Sequence, residues 1–161
     1  MTSPVLQVLM GWAGSFGFSV LLNARGLKLF LASLGGALSW TLYLLVEPYF
    51  PNEMFRYFLS SAFVAMYAEI FARVLKTPAT TFLIPSIIPH IPGGSLYYTM
   101  RYALNRDWGA CLSQAVYTLS LALGLGLGIV AVMSVFGVIN VVLNKLWYKV
   151  YRTTMKKEHT P

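Results

Sequence analysis

The sequence predicts an all-α, polytopic integral membrane protein, and three observations carry that prediction. Hydrophobic residues fill 57% of the 161 positions and charged residues 11%, with a mean hydropathy of +0.65, far from the balance of a soluble domain. The 12 Lys and Arg and 5 Asp and Glu are too few to coat a soluble core of this size with polar side chains. The charges also act as punctuation, marking off five stretches of the length that a hydrocarbon layer of about 30 Å requires.

Composition excludes several other functions. The net charge of +7 raises nucleic acid as a partner, but the cations are divided between the boundaries of apolar runs and the C-terminus instead of gathering in one patch, so membrane orientation explains them better and no nucleic acid is expected. One cysteine, Cys111, forms no internal disulfide, and without a His/Cys cluster beside it no metal or other cofactor is expected. The acids Glu47, Glu53, Glu69, Asp107 and Glu158 are scattered, and no nucleophile-base pair is visible, so the chain is not expected to be an enzyme. MTSPVLQVLMGW has no basic n-region and no clear cleavage site, so it reads as the start of a span.

The first span is predicted over Val5 to Leu22, where Gly11, Gly14, Ser15 and Gly17 would let a second helix approach closely. Arg25 and Lys28 separate it from a second span, Leu29 to Val46. The acids and prolines of EPYFPNEM then mark a turn. The third span, Phe55 to Leu75, carries Glu69 and Arg73 in its last two turns. Their i, i+4 spacing in the favourable order predicts an ion pair; a proton pathway is the alternative role for an intramembrane pair.

The fourth segment, Thr77 to Met100, is uncharged but cannot be one uninterrupted helix. Pro78, Pro85, Pro89 and Pro92 lack N–H groups, and the last three would leave the carbonyls of Thr81, Pro85 and Ile88 without helical partners. Broken backbone at membrane depth is tolerated where it is buried in protein or lines a watery cavity, as at transporter binding sites. A new half-helix is expected near Leu96, with Gly93 and Gly94 permitting unusual backbone angles and Ser95 as its N-cap. Its free N–H groups would suit a carboxylate. The candidate substrate-binding residues are therefore Thr80, Thr81, Pro85, Ser86, Pro89, His90, Pro92, Gly93, Gly94, Ser95 and Tyr97. His90 is also the residue able to titrate near neutral pH. The competing reading of the prolines is a kinked packed helix, and of the hydroxyls, back-bonding to their own helix.

The fifth span is predicted from Trp108 to Asn144. Gly124 and Gly128 make a G-x-x-x-G packing face; the surrounding GLGLG follows no strand and is no nucleotide fingerprint. Residues 1–144 thus form one transmembrane domain, and 145–161 a basic tail whose interleaved aromatics suit an anionic lipid surface.

Five crossings place Arg25, Lys28, Arg73, Lys76 and the tail cations on one side, against Arg56, Arg101 and Arg106 on the other. The asymmetry predicts an N-terminus outside and a C-terminus in the cytoplasm, in the cytoplasmic (plasma) membrane.

The run from Pro78 through Phe82, Pro85, Pro89, Pro92 and Gly93 to Tyr97, with five hydrophobic segments and this length, resembles the threonine/serine exporter family, specifically its small-subunit or C-terminal membrane half. The resemblance implies proton-motive-force-driven export of threonine and serine, or of succinate as in some two-subunit relatives. It also implies a separately encoded larger membrane partner. A scaffold that stabilises such a partner and touches no solute is the rival expectation.

Overall fold

The structure is a computed structural model that describes residues 3–158, with side chains described through Val142 and at Lys145. It is helical throughout: α1 (Pro4–Leu21), α2 (Leu27–Val46), α3 (Glu53–Val74), α4 (Thr80–Ile87), a single 3-10 turn at Ile88–His90, α5 (Gly93–Leu104) and α6 (Trp108–Glu158). Four of these, α1, α2, α3 and residues Trp108–Val142 of α6, are long and apolar enough to cross a membrane. The fourth segment supplies two short helices of 8 and 12 residues instead of a plain span.

Helix ends follow local chemistry. Pro4 occupies the first position of α1, and Ser3 Oγ accepts from the Leu6 N–H. Asp107 Oδ1 likewise accepts from Ala110 N–H at the start of α6. Three helices stop in one way without a glycine. Asn23, Lys76 and Arg106 take positive φ, and the next residue returns its N–H to a carbonyl five back, as in Ala24 to Ser19, Thr77 to Ala72 and Asp107 to Tyr102. Lacking glycine, these stops are signalled in the sequence only by the charges beside them.

Small residues decide how the helices pack. α1 and α2 run antiparallel through a seam where Gly36 receives Ser15 so closely that a Cβ there would collide with the serine side chain. Gly35, on the same face, admits Ser86 of α4 and the ring of Tyr67. Both glycines belong to a buried stripe of Ala32, Ser33, Gly35, Gly36, Ser39 and Tyr43, spaced by helical turns. α3 and α6 run parallel. Gly124 abuts the Met54 carbonyl, and Gly128 lies against Ser61 and the Phe58 carbonyl. At Gly17 and Gly126, by contrast, no neighbouring helix among the described residues comes within 4 Å of where a Cβ would stand, so neither is a packing contact. Ala32, Val64, Ala65, Ala68, Phe82 and Leu83 form the apolar core between α2, α3 and α4.

One expectation is corrected here. Ser95 does not cap α5: the helix begins at Gly93 after Pro92, and the Ser95 hydroxyl donates to the Pro92 carbonyl at 3.1 Å. The span predicted from Trp108 to Asn144 lies within α6, which continues as one helix to Glu158 over 51 residues. Of the predicted basic tail at 145–161, the side chains beyond Lys145 lie outside the described residues.

Candidate functional site

The break in the fourth segment is built from tightened turns. The Ile88 N–H donates to the Pro85 carbonyl, Ile91 N–H to Ile88 at 3.2 Å and Gly93 N–H to Ile91 at 2.7 Å, so two of the three carbonyls threatened by the prolines find partners at shorter range. Tightening turns the chain inward at His90. The imidazole is fully buried and stands edge-on to Trp40, Tyr43 and Tyr57, with ring centroids 5.5, 6.1 and 5.9 Å away. Neither ring nitrogen has a hydrogen-bond partner among the described residues.

Beneath this aromatic box lies a layer of charge contributed by α2, α3 and α6. Glu53, at the start of α3, accepts from the Tyr43 hydroxyl at 2.9 Å and from the Tyr117 hydroxyl. Arg56, one turn along, lies over the Tyr43 ring at 4.9 Å from its centroid. Its Nη1 is 3.0 Å from Glu47 Oε1, yet that contact is not aligned as a hydrogen bond, and Nε has no partner among the described residues. Trp40 stacks on Tyr43 at 5.0 Å, and its indole N–H is likewise without a partner there. Leaving several buried polar groups unpaired costs about 1–3 kcal/mol each, and packing alone gives no return on that cost. A polar guest would.

A groove of about 510 Å³ runs between α1 and the 3-10 turn, bordered by Gln7, Gly11, Gly14, Trp40, Ile88 and Pro89. At its floor Pro89 stands 3.5 Å from where a Cβ on Gly11 would lie, an ordinary contact distance.

The residues predicted as one site separate into three places. Pro85, Ser86 and His90 sit against α2 and α3, Pro89 lies against Gly11 of α1, and Pro92 is just beyond. Ser86 is committed to packing, its hydroxyl donating to the Ala32 carbonyl at 3.0 Å while its own carbonyl accepts from Ser39. Thr80 and Thr81 lie at the opposite end of α4, about 15 Å of helix from His90. Gly93, Gly94 and Tyr97 are exposed on α5, which packs mainly on α6, where Thr99 meets Thr118 at 3.3 Å. Glu69 and Arg73 pair at 3.5 Å, and Arg73 lies on the Phe136 ring, at the end of α3 away from His90. Trp40, Tyr43, Glu53, Arg56, Tyr57 and Tyr117 are not legible as site residues in the sequence, where Glu47 and Glu53 read as loop acids and Arg56 as a cation at the outer end of the third span. Their one signal is the i, i+3 spacing of Trp40 with Tyr43 and of Glu53 with Arg56.

No group of three or more His, Cys, Asp or Glu among the described residues is placed to hold a metal ion. Residues 7–135 match the family model described as Threonine/Serine exporter, ThrE. No curated protein and no solved structure matches.

Proposed function

The chain belongs to the threonine/serine exporter family, and from that membership we propose that it is a membrane subunit through which small carboxylate-bearing solutes, threonine and serine first, leave the cell. Family membership itself makes it a multi-pass membrane transporter acting on small molecules. The observation that carries the finer reading is the broken fourth segment, which turns inward at His90 between an open groove and a layer of unpartnered donors. The proton motive force as the driving gradient, a larger partner subunit and the plasma membrane as the location belong to the same proposal.

Orientation is proposed from charge. Arg25, Lys28, Arg73 and Lys76 gather at the end of the bundle where α1 and α3 finish, which makes that end cytoplasmic and the α2–α3 loop external. The chain is then one transmembrane domain over 1–144, followed by a cytoplasmic tail.

Replacing Pro89, Pro92 and Gly93 together tests the site. The expected result is loss of threonine and serine efflux from cells that accumulate the variant at the normal level in their membranes. Unchanged efflux at normal accumulation removes the break from the pathway.

A further inference from the structure

Granted the exporter reading above, we propose that Arg56 anchors the carboxylate of an α-amino acid and that Glu47 is its built-in competitor, returning to Arg56 to expel the solute.

The Arg56 side chain is 10% exposed, whereas that of its partner Glu47 is 57% exposed. A guanidinium offers five N–H donors in a planar fork, and here Nε and Nη1 find no aligned acceptor among the described residues. A buried cation short of acceptors takes up a carboxylate through two parallel hydrogen bonds. Glu47 supplies one approach at 3.0 Å without hydrogen-bond alignment, and a half-solvated pair of this kind is weak. It caps the C-terminus of α2 at the start of the α2–α3 loop, where it has water to retreat into. An incoming carboxylate therefore exchanges with Glu47 at little cost.

Glu53 cannot play that part. Its two oxygens accept from Tyr43 and Tyr117, which hold it in place three residues before Arg56. With Glu47 swung out, the chamber presents one fixed cation and one fixed anion on the same helical face. An α-amino acid matches both: its carboxylate meets Arg56, and its ammonium faces Glu53. A dicarboxylate would bring a second negative charge toward Glu53, an arrangement that disfavours it. At the external end, the return of Glu47 to Arg56 competes with the departing carboxylate and speeds release.

The test uses the full chain produced from its own locus, in cells loaded with a threonine-containing dipeptide, and follows threonine efflux against external L-threonine, L-threoninamide or succinate. In E47Q, external L-threonine is expected to inhibit efflux at about a tenfold lower concentration than in the wild type, because the competitor is gone. Threoninamide, lacking the carboxylate, and succinate are expected to inhibit neither protein. R56Q should abolish efflux, R56K should keep a weakened activity, and E47Q should have no effect in the R56Q background. Membrane accumulation and helical circular dichroism identify any variant that fails to fold, and R56K retains the charge if R56Q does not fold. Equal inhibition by threoninamide and threonine, or unchanged sensitivity in E47Q, overturns the assignment. If the wild-type chain exports no threonine or serine, the exporter reading itself falls; if it does and E47Q is silent, only the Arg56–Glu47 assignment falls.

Discussion

Along the seam of α1, α2 and α4, the buried hydroxyls of Ser19, Ser33, Ser39 and Ser86 each donate to a backbone carbonyl. About one turn further toward the α2–α3 loop, the imidazole of His90, the indole N–H of Trp40 and Nε of Arg56 have no partner among the described residues. The two regions share helices and a similar degree of burial, so exposure does not explain the difference. Serine is short enough to bond its own helix or, as Ser86 does, a carbonyl of the helix it packs against. Imidazole, indole and guanidinium are held off the backbone by their rings and stems, and each needs an acceptor or donor from elsewhere. The seam is thus closed chemically except at Ser15, whose buried hydroxyl has no partner among the described residues, while around His90 the larger polar groups stay unpaired. A transporter needs both: a rigid contact to move as a unit, and a place whose polar groups are completed by the solute.

The sharpest way to break this contrast is to disturb the seam. Gly36→Leu sets a side chain into Ser15 and toward the Gly11 carbonyl and should cost about 3 kcal/mol, read as a fall in the thermal unfolding midpoint of the detergent-solubilised protein. Gly126→Leu, where nothing lies within 4 Å, should leave that midpoint in place. An equal response from both would mean that close approach does not hold α1 to α2.

In the site, Tyr43→Phe removes one of the two hydroxyls on Glu53 and should lower stability by about 1 kcal/mol while slowing threonine efflux, since the half-buried carboxylate is left underpaired. A stability loss with normal efflux would make Tyr43 a packing residue only. Ser39→Ala is the smallest change. It removes a hydroxyl that donates to Gly36 and Ser86 carbonyls, and should cost about 1 kcal/mol with efflux unaltered. If efflux failed at normal stability, the seam would have to be counted part of the pathway.

Much of the architecture was legible from residue order. The first three helices begin and end within two residues of their expected limits, because apolar runs bounded by charge are a direct record of bilayer solvation. The interruption at Pro85 to Pro92 was equally readable, proline being an absolute constraint on helical hydrogen bonding. The chamber was not. Trp40, Tyr43, Glu53, Arg56, Tyr57, His90 and Tyr117 come from four elements, and no local spacing joins them. Reading charges as boundaries misled at Glu53, which begins α3 instead of closing the loop before it.

That last helix has a mechanical consequence. Its 51 residues make a rod of about 76 Å, more than twice the hydrocarbon thickness, and its backbone is pressed against α3 at Gly124 and Gly128, roughly a third of the way along. Further contacts with α3, from Tyr117 on Glu53 to Phe136 under Arg73, hold the two helices side by side along the length of α3. A displacement of α6 would therefore carry α3 with it, and the part of the helix beyond Phe136 would follow as the same rod.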